Sequence, residues 1–391
     1  MRILQLGKFY PIRGGVEKVM YDLTTGLSGK GVECDMLCAA YTGKNRTIEI
    51  GKTSRIICCR TWAHIANTMI SPELIVKSAR ICRNYDIVHL HHPDPTACLA
   101  LFCARFKGKV ILHWHSDIIK QRFWLMFYLP LQKWMIRRAD IVITTTPVYL
   151  EGSSYLKKVK DKSLYLPIGI FPVSSQQDKE MQTLYPGKKI IFSLGRLVPY
   201  KGFKYLIRAA RYLPEGYIVL IGGEGPLKQA LETEIETFGV VNKVKLLGRI
   251  REEDLPAYYH GCTLFCLPSV QKTEAFGIVQ IEAMSCRKPV VATNIPGSGV
   301  PWVNKHGVSG LNVPPKNPVA LAEAIMEVTK DEKTYMEYSQ NAFERYNTVF
   351  TKQEMINRYL NIIKNSDKKL QGHRKSKEKT ICLCIFCLSV P

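Results

Sequence analysis

The chain has 391 residues, enough for two domains at the usual ~150 residues each. Apolar residues at 46% and charged residues at 23% exclude a disordered chain, and no apolar run approaches the ~18 residues of a membrane-spanning helix. The formal charge of +22 predicts an anionic partner: a membrane surface, nucleic acid or a phosphorylated substrate.

In chain order, MRILQLG reads as a strand, KFYPIRGG as a loop, and VEKVMYDLTTGLSGKG as a helix closed by glycine. The start lacks a signal peptide's apolar core and cleavage site, so a cytoplasmic chain is expected. Residues 34–40, YDIVHL (85–90), KVILH (109–113) and ADIVIT (139–144) are short, apolar and β-branched, as buried parallel strands are. The pattern restarts at Lys188. KKIIFSLGR is a strand and turn, 203–212 a helix, and YIVLIGGEGP a strand with a glycine-rich turn. KVKLLGR, CTLFCLPS and KPVVATN are further strands, and 320–328 and 336–365 further helices.

This repeat predicts an α/β fold of two Rossmann-like, doubly wound domains facing a cleft, where such folds bind ligands. The expected domains are 1–172, 173–345, a helix 346–366 returning to the first domain, and a basic, Cys-rich, disordered tail 367–391. Residues 1–172 hold 25 basic against 12 acidic residues, so the excess charge sits mainly in the first half. The thirteen cysteines are scattered and expected to be reduced, with no zinc spacing.

Four short patterns could carry chemistry. Gly14 and Gly15 stand between a strand and a helix, either as a turn or as a phosphate contact at a helix N-terminus. In SLGRLVPYKG, Arg196 and Lys201 follow a strand and could clamp one pyrophosphate, or simply be solvated. In TEAFGIVQIEAM, Gly277 suggests that a helix begins there. Glu274 would then lie in the loop before it and Glu282 on the helix, with the N–H groups of Phe276, Gly277 and Ile278 as free donors to a phosphate. Two unrelated surface or packing glutamates are the alternative. In LHWHSD, His113 and His115 end one strand, beside His89, His91 and His92 at the end of its neighbour. Substrate contact, packing and metal ligation are all open to them.

Together these pieces suit a diphosphate held between domains. The N-terminal GG loop, LHWHSD, GRLVPYKG, GGEGP and the E-x7-E segment followed by KPVVATN resemble the retaining, sucrose-synthase-like (family 4) glycosyltransferases of GT-B architecture, over Met1 to about Asn365. HWHSDIIKQ and TNIPGSGVPWVNKHGVSGLNVPP are similar to bacterial mannosyl- and rhamnosyltransferases of O-antigen assembly. The resemblance implies that Arg196 and Lys201 bind the donor pyrophosphate, that Glu282 holds the ribose, and that Glu274 and His115 lie at the donor sugar. It implies GDP-mannose as donor, retained configuration and no metal. A UDP-sugar transferase or an epimerase on the same fold is the alternative. Asn294 stands where many members have an acidic residue.

The segment KQRFWLMFYLPLQKWMIRR mixes Lys120, Arg122, Lys133, Arg137 and Arg138 with Phe123, Trp124 and other apolar residues. Such basic, aromatic stretches lie at membrane interfaces. The expected acceptor is a polyprenyl-diphosphate-linked glycan at the inner face of an anionic membrane, with the protein peripheral to it; a packed helix is the alternative. The basic residues form no pattern of a nucleic-acid-binding motif, so an anion-binding module for nucleic acid is the weaker reading.

Overall fold

The computed structural model describes residues 1–42, 44–51, 53–65, 68–118, 122–174 and 183–366, the side chains of 122–125 excepted. Two sheets carry the chain. The first holds β1 (Arg2–Tyr10), β2 (Glu33–Ala40), β3 (Arg46–Ile50), β4 (Ser54–Cys59), β7 (Ile87–His92), β8 (Lys109–Trp114), β9 (Ile141–Thr144) and β10 (Ser163–Tyr165), in the order β10-β9-β8-β7-β1-β2-β4-β3. Between β4 and β7, β5 (Ala63–Ile65) and β6 (Thr68–Ile70) form a small separate hairpin. The second sheet holds β11 (Lys189–Leu194), β12 (Tyr217–Gly222), β13 (Val244–Gly248), β14 (Leu264–Leu267), β15 (Val290–Thr293) and β16 (Gly310–Val313), in the order β13-β12-β11-β14-β15-β16.

All pairings in both sheets are parallel except β3 with β4 at an edge. Central strands such as β7 and β9 are buried at every residue, as continuous apolar runs between two helical layers require. In each sheet the strand order reverses beside the first strand, at β1/β7 and at β11/β14. Those switch points open crevices at the carboxyl ends of the strands. The loops that leave them carry Gly14 and Gly15, Lys201 and Glu274.

The helices used below are α1 (Gly15–Ser28), α2 (Pro72–Ile81), α3 (Pro95–Ala104), α4 (Arg122–Arg138), α5 (Pro147–Gly152), α6 (Phe203–Ala209), α7 (Lys228–Thr237), α8 (Leu255–Gly261), α9 (Ile278–Ser285), α10 (Val300–Val303), α11 (Pro318–Val328), α12 (Glu332–Arg345) and α13 (352–366). α2, α3 and α5 each begin with proline behind a side-chain cap (Ser71, Asp94 and Thr146) that accepts from the backbone N–H three residues on.

The single helix expected over 336–365 is broken. A π-turn, Tyr346–Phe350, follows α12, and α13 begins after Thr351. The β-branched run Thr348, Val349 and Thr351 crowds a helix. Tyr346 and Phe350 are fully buried, and Ile170 pairs with the break through Ile170 N–H to Phe350 O at 2.9 Å and Lys352 N–H to Ile170 O at 2.8 Å. α13 then packs on the first sheet's layer. Lys352 Nζ lies 2.9 Å from Asp22 Oδ1, and Tyr359 Oη lies 2.8 Å from His89 Nδ1. The tail 367–391 and the linker residues 175–182 lie outside the described residues.

Candidate active site

Gly277 takes φ +74°, a left-handed conformation that glycine adopts without strain, and α9 starts at the next residue. Glu274 is therefore in the loop and Glu282 on the helix, as the spacing predicts. Lys201 Nζ sits 2.6 Å from Glu274 Oε2, and both residues are only 9% exposed. Ser269 donates to the same oxygen at 2.9 Å, and Ser298 donates to the Glu274 carbonyl. Burial alone would push the Lys201 ammonium down, but Glu274, Tyr200 and Glu282 outweigh it and the net shift is upward. Lys201 is thus a fixed cation. Arg196 is exposed at the mouth of the same loop and makes no ion pair among the described residues.

Glu282 accepts a 2.6 Å hydrogen bond from Tyr259, which is buried on α8. Burial raises the Glu282 carboxyl above the usual range, against the opposing pull of Tyr259, Lys18 and Lys201. The backbone N–H groups of Phe276, Gly277 and Ile278 have no partner among the described residues. Two carboxylates, one buried cation and three free donors thus share one corner.

The opposite wall is a stack of imidazoles. His89, His91 and His113 share one face of β7–β8, and His115 follows from the end of β8. His113 and His115 rings stack at 4.0 Å, His89 and His91 at 4.5 Å. His115 Nε2 lies 2.9 Å from His91 Nδ1, and His91 Nε2 lies 2.7 Å from Gln5 Oε1. This relay fixes the His115 ring. Burial holds all of these rings below the usual imidazole range, His113 at about 3, so the wall is neutral at pH 7. His89, His91 and His113 offer ring nitrogens within 4.8 Å of one another. Yet both His91 nitrogens are engaged, with His115 and Gln5, and leave that ring no free lone pair for a metal. The arrangement suits packing and positioning better than metal ligation.

Three contacts join the walls. A Cβ at Gly15 would come within 2.9 Å of Ile278 Cδ1, so α1 and α9 approach end to end. Lys18 acts electrostatically on Glu282 across the same gap. Lys272 Nζ bridges to Asp117 Oδ2 at 2.8 Å and to the Gly152 carbonyl at 2.9 Å. Asp117 is held in turn by Trp114 Nε1 and Ser153 Oγ, each at 2.8 Å. Glu17 lies against Gly14, its Oε2 2.5 Å from where a Cβ would stand, so a carboxylate of the first turn stands beside the α1 N-terminus.

The basic, aromatic segment forms α4, with Pro130 inside it. Lys120 lies outside the described residues, as do the side chains of Arg122, Phe123 and Trp124. Lys133 and Arg137 are exposed, whereas Tyr128, Met135 and Ile136 are buried in the first domain's core. Arg138 is not a surface contact. It donates to Asp140 at 3.1 Å and to the carbonyls of Phe106 and Gly108 at 3.0 and 2.6 Å, tying α4 to the sheet. Among the described residues no helix is long and apolar enough to cross a membrane.

Sequence reasoning missed Lys18, Ser269, Tyr259, Gln5 and the Lys272–Asp117 bridge. None has a local signature, because each acts through a partner at least five residues away and mostly far more.

Residues 13–151 match the model of Glycosyltransferase Family 4, and residues 174–345 that of Glycosyl transferases group 1. The chain is 30% identical to O-antigen chain mannosyltransferase C of Escherichia coli over 369 residues, 93% of this chain and 98% of the relative. It is 28% identical to the D-rhamnosyltransferase WbpZ of Pseudomonas aeruginosa, over 90% of this chain and 92% of the relative. Among solved structures, Anabaena HepE in complex with UDP and glucose superposes with a TM-score of 0.73 at 21% identity, covering 93% of this chain and 100% of that one. WaaG, of lipopolysaccharide biosynthesis, gives 0.64 at 17% identity, covering 94% and 99%.

Proposed function

Because the chain belongs to the family 4 glycosyltransferases of GT-B architecture, we propose that it moves a hexose, mannose from GDP-mannose, onto a lipid-linked glycan with retained configuration. The observation that carries the reading is the corner where Lys201 meets Glu274 at 2.6 Å beside three unpartnered backbone N–H groups. Similarity to O-antigen mannosyl- and rhamnosyltransferases along most of the chain supports the sugar and the acceptor class.

In this reading the anomeric C–O bond of the donor breaks and the nucleoside diphosphate leaves with the electron pair. An acceptor hydroxyl oxygen takes its place on the same face of the ring. The acceptor's proton passes to the departing phosphate oxygen. Lys201, Arg196 and the N–H groups at the start of α9 meet the charge that builds on the leaving group. Glu282, aimed by Tyr259, receives the ribose hydroxyls. His115, neutral and fixed by His91, can accept a hydrogen bond from a sugar hydroxyl through Nδ1, with Glu274 beside the reacting carbon. The Lys272–Asp117 bridge holds the walls together and limits water. No step requires a metal. The protein works at the cytoplasmic face of an anionic membrane, with Lys133 and Arg137 of α4 toward it.

A UDP-sugar donor is the second reading, favoured by the UDP held in HepE. A thermal-shift panel of GDP, UDP, ADP and dTDP with their sugar conjugates, without metal, decides between them. A ligand at 100 times its Kd stabilises the native state by about 2.7 kcal/mol. Stabilisation by GDP and GDP-mannose alone supports the first reading, and by UDP alone the second. No shift with any nucleotide refutes the site.

A further inference from the structure

An apolar pocket opens on the first domain at the carboxyl end of β7, outside the cleft. It encloses about 360 Å³, within the ~300–1,000 Å³ typical of ligand sites. Ile65 and Ile70 of the β5–β6 hairpin, Ile75 of α2, Leu99 of α3, and Phe127 and Leu131 of α4 line it. The hydroxyls in its wall are already committed. Ser71 donates to the Arg60 carbonyl and Thr96 to the Met69 carbonyl, each at 2.7 Å. Ile65, Ile70 and Leu99 are 37–45% exposed, so the pocket presents apolar surface to solvent. Surfaces of this kind mark binding sites.

Two observations define the occupant. On the other flank of α2, sharing Pro72 with the pocket, is a groove lined by the exposed Arg46, Lys77 and Arg80 against a single carboxylate, Glu73. An apolar slot beside a basic groove complements an amphiphile with an anionic head. The pocket also adjoins the cleft. Its wall residue Tyr128 stacks toward His92 at 6.1 Å, His92 stacks on Trp114 at 3.6 Å, and Trp114 holds Asp117 of the interdomain bridge.

We infer that this pocket seats the isoprenoid chain of the lipid-linked acceptor, with the diphosphate toward Arg46, Lys77 and Arg80. The inference rests on the transferase reading above and adds a chain-binding site to it. A chain held here tethers the acceptor at the end of the strands from which His115 projects, so affinity depends on the lipid and not on the glycan alone.

The test uses the full chain and two variants of exposed wall residues, Leu99→Asp and Ile70→Asp. Transfer is measured to a hexose diphosphate carrying a C15 isoprenoid and to the same hexose diphosphate capped with methyl. Each variant should raise KM for the isoprenoid acceptor by about tenfold or more, with kcat and the methyl acceptor's KM unchanged. Equal KM for both acceptors in the wild type, or an unchanged isoprenoid KM in both variants, overturns the proposal.

A binding arm separates this failure from failure of the transferase reading. Farnesyl diphosphate and inorganic diphosphate are titrated by calorimetry, with no turnover needed. Tighter binding of farnesyl diphosphate that disappears in Leu99→Asp upholds the pocket even if no donor is turned over. Binding unaltered by Leu99→Asp overturns it. So does a dimer that Leu99→Asp splits while leaving the isoprenoid KM unchanged, since the face would then join two copies.

Discussion

Replacing Lys201 by Met separates the two duties of the Lys201–Glu274 pair. At 2.6 Å and an effective dielectric of about 20, the two charges attract by roughly 6 kcal/mol. Most of that is cancelled by desolvation, because each residue is 9% exposed. Removing one partner leaves the other's desolvation uncompensated. Lys201→Met strands Glu274 with only the Ser269 hydroxyl, and should destabilise by about 3 kcal/mol. Glu274→Gln keeps the shape and the Ser269 contact and should cost less. The double variant should recover most of the loss, since neither buried charge remains. Nucleotide binding separates the variants differently. Lys201→Met should abolish the thermal shift by GDP. Glu274→Gln should bind GDP about tenfold tighter, because the carboxylate competing with phosphate for Lys201 is gone, while transfer falls at least ~100-fold. Denaturant unfolding of the three variants with and without GDP measures the stabilities and the GDP affinities, and a transfer assay measures the rate. Wild-type stability in Lys201→Met, or weaker GDP binding in Glu274→Gln, would refute the reasoning.

Tyr259→Phe removes the hydroxyl that aims Glu282 and opposes the burial that raises its carboxyl. Nucleotide affinity should fall by about 1–3 kcal/mol, and its decline on acidification should move to higher pH, as isothermal titration across pH would show. Lys272→Met leaves Asp117 without its cation. It should raise KM for the donor without changing product stereochemistry. The buried histidines titrate below their unfolded value, so below pH ~6.5 the unfolded chain binds more protons than the folded one. Stability should therefore drop as pH falls from 6.5, by up to about 1.4 kcal/mol per pH unit for each ring, and His113→Leu should shallow that slope in acid-unfolding curves. Lys133→Glu with Arg137→Glu should reduce co-sedimentation with anionic vesicles and leave the Tm within about a degree.

The architecture was legible because buried parallel strands are written as short continuous apolar runs, and the helices between them close on glycine or start on proline. Several of the elements that were missed lack those signals, although β4, a buried run, carries them and was missed too. β3 is a half-exposed edge strand, and β5, β6 and β10 have three residues each. α9 was legible from one residue, Gly277, whose left-handed backbone fixes where the helix starts and so which carboxylate lies in the loop. The break before α13 was not, because it depends on Ile170 pairing with residues 180 positions later. Arg138 was misread for a similar reason. Its charge looks like its neighbours' in sequence, but its fork is spent on two carbonyls of a distant turn.

The two halves divide the electrostatic work unequally. The first half holds most of the +22 excess, yet the imidazoles it turns to the cleft are neutral, because burial strips their protons, and the cations acting beside them are Lys8 and Lys18. Its cations Arg46, Lys77, Arg80, Lys133 and Arg137 are exposed on its outer surface. The buried cation facing the diphosphate site, Lys201, comes from the second half, whose net charge is small. A uniformly basic protein would bind anions everywhere along its cleft, acceptor diphosphate included. Here a stack of neutral imidazoles stands between an outer basic surface and an inner cation locked against a carboxylate. Under the proposed function, the acceptor's diphosphate would be drawn to the outside of the first domain and the donor's to the inside of the second. The same separation would keep two diphosphate substrates from competing for one site.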